Sequence, residues 1–169
     1  MAAEPVVAVC LLTAALHAGT LTFDGIIQSQ MASPSLALVV AALAFLLILQ
    51  LQVGKLPFDM VEAESEIMDG PLTEISGPQL ALCKWGMFVK QFLYSGLLIQ
   101  LFLPWIVYGL PWPWARPLLS VAYVFVLNLL AVGVVHAVNP RLRIDQAMRY
   151  AGGVLVVAIL GLAYATMAP

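Results

Sequence analysis

Long apolar runs along this chain are separated by short polar connections. The runs are continuous over helix lengths and do not alternate residue by residue, as half-buried strands would. A hydrocarbon core of about 30 Å needs about 20 helical residues. Five segments approach that length: 5–23, 35–53, 79–105, 118–138 and 151–167. An open sheet edge cannot be satisfied in lipid, so the spans are expected to be helices. The pattern predicts an all-α integral membrane protein, one membrane domain over 1–169 with about five transmembrane helices.

Composition strengthens this reading. The chain is 63% hydrophobic and 9% charged, with a mean hydropathy of +1.00, whereas soluble domains carry about 25% charged residues. A buried subunit of a soluble assembly is the weaker alternative. The net charge of −2 and the lack of any Lys/Arg cluster give no nucleic-acid groove. Cys10 and Cys83 fall in apolar runs and read as buried small hydrophobes, too few for a zinc or iron–sulfur site. No Lys or Arg precedes the first run, which therefore reads as a retained span and not a secretory signal.

The connections differ in charge. Connections 54–78 and 139–150 hold Lys55, Arg141, Arg143 and Arg149, and the opposite side offers only Arg116. The positive-inside rule then places both connections in the cytoplasm, the N-terminus with them and the C-terminus outside. The chain is expected in the inner (cytoplasmic) membrane. Trp112 and Trp114, beside three prolines in 106–117, suit an interfacial turn.

Connection 54–78 holds six carboxylates: Asp59, Glu62, Glu64, Glu66, Asp69 and Glu74. Asp59 and Glu62 have the spacing of a capping box that opens a short helix, and Gly70-Pro71 would end it. On such a helix Asp59, Glu62, Glu66 and Asp69 share one face. Their repulsion must be offset by a cation, a partner's Arg or Lys, or protons, which can raise pKa values toward neutrality. A solvated acidic turn is the bland alternative. Ser76-Gly77 suggests a tight turn, with Pro78 near the first position of the next helix.

Lys84 and Lys90 lie inside 79–105. Lys84 can snorkel to the surface. Lys90 lies roughly 16 Å into the helix, where an unpaired ammonium costs at least about 2.5 kcal/mol, so it is expected to face protein or water and to pair with a carboxylate such as Glu66 or Glu74. His136 and His17 have the intrinsic pKa of proton-relay groups, although packing is the commoner role for a lone helix histidine. Gln100 and Asn128 are expected to bond across a helix interface or to line a hydrated path. Asp145 and Arg149 form an i,i+4 pair on a short surface helix, and Arg141, Arg143 and Asp145 are candidates for docking lipid headgroups or a partner. No metal-ligand spacing, phosphate loop or nucleophile elbow occurs, so no catalytic residue, cofactor site or metal site is assigned to this chain.

The stretch KLPFDMVEAESEIMDGPLTEISGP, residues 55–78, resembles the signature loop of the membrane-anchor subunit shared by respiratory complex I and the membrane-bound, energy-converting nickel–iron hydrogenases. Pro57, Phe58, Asp59, Glu62, Ala63, Glu64, Glu66, Gly70, Glu74, Ser76 and Gly77 match its pattern, and Arg141 to Gln146 match a second one. Lys84-Trp85 stands where complex I members usually carry an acidic FLAEY-like sequence, so the resemblance leans to the hydrogenase branch.

The resemblance implies a non-catalytic subunit that links electron transfer in a peripheral arm, from ferredoxin to protons, to proton or sodium translocation. It implies as partners the hydrogenase large and small subunits, which would carry the nickel–iron centre and the iron–sulfur clusters, and antiporter-like membrane subunits. By resemblance, Asp59, Glu62, Glu64, Glu66 and Glu74 take the coupling positions, and Asp69, Lys84, Lys90 and His136 join them on the chemistry above. The family's anchor protein ordinarily has about eight spans with the loop after the fifth; two precede it here, so either the other spans are on another polypeptide or this is a minimal or incomplete version. Two alternatives stand beside this reading: the quinone-site subunit of a complex I-like enzyme, marked by a lipid-accessible cavity beneath the acidic loop, and a structural anchor with no ion path.

Overall fold

The structure, a computed structural model, describes residues 3–55, 57–58, 76–109, 112–140 and 142–167, the side chains of Pro113 and His136 excepted. The described elements are helical: α1 (Glu4–Ala18), α2 (Phe23–Ala32), α3 (Leu36–Val53), α4 (Pro78–Phe102), α5 (Pro104–Tyr108), a 3₁₀ turn (Pro113–Ala115), α6 (Arg116–Leu127), a π-helical segment (Asn128–Val134), α7 (Val135–Val138) and α8 (Ile144–Met167). Among the described residues, α3, α6 with its π segment, and α8 are each long and apolar enough to cross a membrane, with mean hydropathies of 2.6, 2.2 and 1.8. The pair α1 and α2, bent by 66°, makes a fourth if it counts as one span. The chain is an all-α, multi-pass membrane protein with three to four long apolar helices among its described residues.

Several boundaries differ from those expected. The first run stops at Ala18 because Gly19 adopts φ 64°, a left-handed helix cap that glycine tolerates without steric cost. Residues 24–34, expected as a connection, instead belong largely to α2. Helix α4 has 25 residues, but Lys84, Lys90 and three glutamines leave it outside the set apolar enough to span. The last helix begins at Ile144, seven residues before the expected 151, so the Asp145–Arg149 pair lies on α8 itself and not on a separate surface helix. There Gln146 Oε1 accepts the Arg143 backbone N–H at 3.2 Å, one half of a capping box, with Asp145 in the first turn.

The core lies where α1, α3 and α8 meet, and α4 packs against α3, adding Leu98, Leu101 and Phe102 to that core. Small residues let these helices approach closely: Ala14, Ala41, Ala44, Ala151 and Ala158 are buried, and a Cβ at Gly161 would meet Val40 Cγ1 at 3.2 Å. Phe45 seals the α3–α4 seam, its ring centroid 6.4 Å from Tyr94 and 5.6 Å from Phe102. Cys10 is buried in this core, but Cys83 is exposed on α4, contrary to the expectation for both thiols.

Candidate functional site

The start of the acidic connection is built from the end of α3. Gly54, at φ 67°, ends that helix, and the Phe58 backbone N–H then closes a turn onto Lys55 O at 2.9 Å. Pro57 and Phe58 are buried. Phe58 lies 5.0 Å, centroid to centroid, from Tyr150 of α8. The Leu142 N–H donates to Pro57 O at 2.9 Å, and the Tyr150 hydroxyl donates to Leu47 O at 3.0 Å. The two sequence patterns are thus physically joined: the start of the acidic stretch is stapled to the basic connection by one backbone hydrogen bond and an aromatic pair. The far end of the acidic stretch returns as expected, with Gly77 at φ 65° and Pro78 at the first helical position of α4.

Beside this junction a groove runs between α4 and α6 with its π segment. Its walls include Phe88, Phe92 and Phe125, and Lys55 stands at its mouth. The Lys55 ammonium lies 5.8 Å from the Phe88 ring centre, a cation–π distance, and Phe92 meets Phe125 edge-on at 5.1 Å. In the same groove Gln91 Nε2 donates to Asn128 Oδ1 at 2.8 Å, and Asn128 Nδ2 donates to Val124 O at 2.8 Å. The Ser95 hydroxyl divides its one proton between Gln91 O at 2.8 Å and Asn128 Oδ1 at 3.2 Å. Asn128 opens the π-helical segment, a local widening that recurs at functional positions. Replacing Asn128 by leucine should cost about 1–2 kcal/mol, because it strips Gln91 and Ser95 of their shared acceptor. Unfolding in mixed micelles checks this; unchanged stability would show the cluster to be energetically idle.

Asp59, Glu62, Glu64, Glu66, Asp69, Glu74 and Arg141 lie outside the described residues, as does the expected short acidic helix. Lys84 and Lys90 are exposed on α4, and Arg143 and Asp145 lie at the start of α8, where Asp145 is exposed. His136 sits in α7, its side chain outside the described set. His17 Nε2 lies 2.9 Å from Ser33 O. Asn128 bonds across a helix interface as expected, whereas Gln100 is exposed. Sequence reasoning passed over Gln91, Ser95 and Tyr150. The available signal was the polar i, i+4 pair Gln91 and Ser95 on an apolar helix. Gln50 and Gln52 were passed over too; both are buried near the end of α3, and Gln50 Oε1 and Gln52 Nε2 have no hydrogen-bond partner among the described residues. Among the described residues no group of three or more His, Cys, Asp or Glu could hold a metal ion.

A family model described as NADH dehydrogenase matches residues 1–167. Hydrogenase-4 component C of Escherichia coli (strain K12) is 43% identical over 104 residues, 60% of this chain and 33% of that protein. Formate hydrogenlyase subunit 4 of the same strain is 36% identical over 105 residues, again 60% of this chain and 34% of that protein. An NADH-quinone oxidoreductase subunit of Rickettsia prowazekii (strain Madrid E) is 32% identical over 149 residues, 82% of this chain and 43% of that protein. The chain thus spans between a third and under half of the length of these relatives.

Proposed function

Because the chain belongs to the NADH dehydrogenase family, we propose that it is the quinone-side membrane subunit of a complex I-like electron-transfer complex. The observation that carries this reading is the groove at the base of the acidic connection. Among the described residues it is walled by aromatic rings and edged by the donors of Lys55 and Gln91. A quinone headgroup needs flat apolar walls and one or two donors for its carbonyl oxygens, the mixture expected of small-molecule sites. The NADH-quinone oxidoreductase relatives also align with more of the chain, 82% for the Rickettsia prowazekii protein against 60% for the hydrogenase component.

In this reading five spans cross the inner membrane, α4 among them, and the acidic and basic connections are cytoplasmic. Arg141, Arg143 and Asp145 dock the peripheral arm, whose subunits carry the redox centres. Asp59, Glu62, Glu64, Glu66, Asp69 and Glu74 respond to the redox step and pass its energy to an ion path involving Lys84, Lys90 and His136. The Phe58–Tyr150 and Pro57–Leu142 contacts give the two connections a common footing, so a shift in one is felt by the other.

A second reading, the anchor of an energy-converting hydrogenase, is favoured by the 43% identity to the hydrogenase component. A photoreactive ubiquinone analogue applied to membranes holding the native complex separates the two. Labelling of Lys55 or the Phe88–Phe92 peptide supports the quinone reading. Labelling confined to other subunits contradicts it.

A further inference from the structure

The amides in the groove between α4 and α6 have a fixed sense. Asn128 Nδ2 donates to Val124 O at 2.8 Å. A backbone carbonyl can only accept, so the Asn128 nitrogen must face the backbone of α6 and its Oδ1 must face α4. Turning this amide over would set two oxygens against each other. Oδ1 can only accept as well, and it takes Gln91 Nε2 at 2.8 Å and the Ser95 hydroxyl at 3.2 Å. The Gln91 amide is therefore oriented in turn, its nitrogen towards Asn128 and its Oε1 away from it. Ser95 is fully buried and Asn128 is 9% exposed, so water competes little for these bonds and leaving one unmade is costly.

Gln91 and Asn128 both line the groove, as does Lys55. Lys55 can only donate, and Asn128 Oδ1 is already doubly engaged. Gln91 Oε1 is thus the one side-chain acceptor of the lining with no partner among the described residues. A quinone and its reduced form differ in how they meet this set. Quinone carbonyl oxygens only accept; they can use the Lys55 ammonium and the second Gln91 N–H, and they leave Oε1 unpaired. A quinol hydroxyl also donates, and its proton can go to Oε1.

Resting on the quinone reading of this groove, we infer that Asn128 is a positioning residue: it locks Gln91 with Oε1 as acceptor, and the groove thereby prefers the quinol to the quinone. One further neutral hydrogen bond corresponds to a preference of about fivefold.

The test uses membranes holding the native complex, anaerobic and without electron donor, and the photoreactive ubiquinone analogue. Decylubiquinone and decylubiquinol compete for labelling of the Phe88–Phe92 peptide, and the ratio of their half-displacing concentrations is the readout. In the wild type the quinol should compete at about fivefold lower concentration. Gln91→Met, which removes the acceptor, and Asn128→Leu, which frees the Gln91 amide to turn over, should each abolish the preference. Asn128→Asp should keep it, because a carboxylate can only accept and still holds the Gln91 nitrogen. A purely structural role for Asn128 would weaken both competitors alike and leave the ratio unchanged. If Asn128→Leu does not assemble, Gln91→Met and Asn128→Asp decide. Equal competition in the wild type, or an unchanged ratio in Gln91→Met, would overturn the inference and leave the quinone reading standing. Absence of labelling in the groove would overturn both.

Discussion

Replacing Glu66 and Glu74 together by glutamine should abolish ion movement by the complex while leaving it assembled. The substitution keeps side-chain volume and removes both the negative charge and the proton-accepting oxygen. If the carboxylates between Lys55 and Pro78 translate the redox step into an ion step, electron transfer continues in the double variant and flux stops. Inverted membrane vesicles allow both to be measured together, electron transfer by acceptor reduction and flux by a pH-sensitive dye or labelled sodium. Retained flux in an assembled double variant would reduce the acidic connection to a solvated turn and the subunit to an anchor.

The second large effect is expected at Phe58. This ring is 5% exposed and packs on Tyr150, next to the hydrogen bond from Leu142 to Pro57. Truncation to alanine should loosen the docking of the two connections by about 3 kcal/mol, at the lower end of what buried Phe→Ala changes cost. Since each 1.4 kcal/mol is tenfold, the Leu142 amide should exchange with solvent roughly 100-fold faster. Hydrogen exchange at that amide reads this directly. Unchanged protection would mean that the contact is incidental and that the two connections do not move together.

How far the sequence reveals this architecture depends on the kind of signal. Continuous apolar runs give helix identity and membrane residence because lipid demands both. Gly77-Pro78 is readable as a helix start because each residue suits a backbone position that few others tolerate. The break at Gly19 was not readable, since a lone glycine in an apolar stretch is equally at home inside a membrane helix. The early start of α8 at Ile144 was obscured by the charges around it, which look like connection, while the neutral Gln146 caps the first helical turn.

The site itself was half legible. Asn128 stands out as a polar residue in an apolar run, and the structure gives it partners. Those partners, Gln91 and Ser95, lie more than thirty residues away; their i, i+4 spacing marks them as a polar pair, but nothing local ties that pair to Asn128. The meeting of Pro57 and Phe58 with Leu142 and Tyr150 was likewise hidden: the two patterns were visible one by one, but their contact is a property of how α3 and α8 pack.

The measurement that tests the central claim most directly is the composition of the native complex, purified from detergent-solubilised membranes and assayed for nickel, iron and bound quinone. Iron and bound quinone, with no nickel, are the expected result. Stoichiometric nickel without quinone would contradict it and return the chain to the hydrogenase branch.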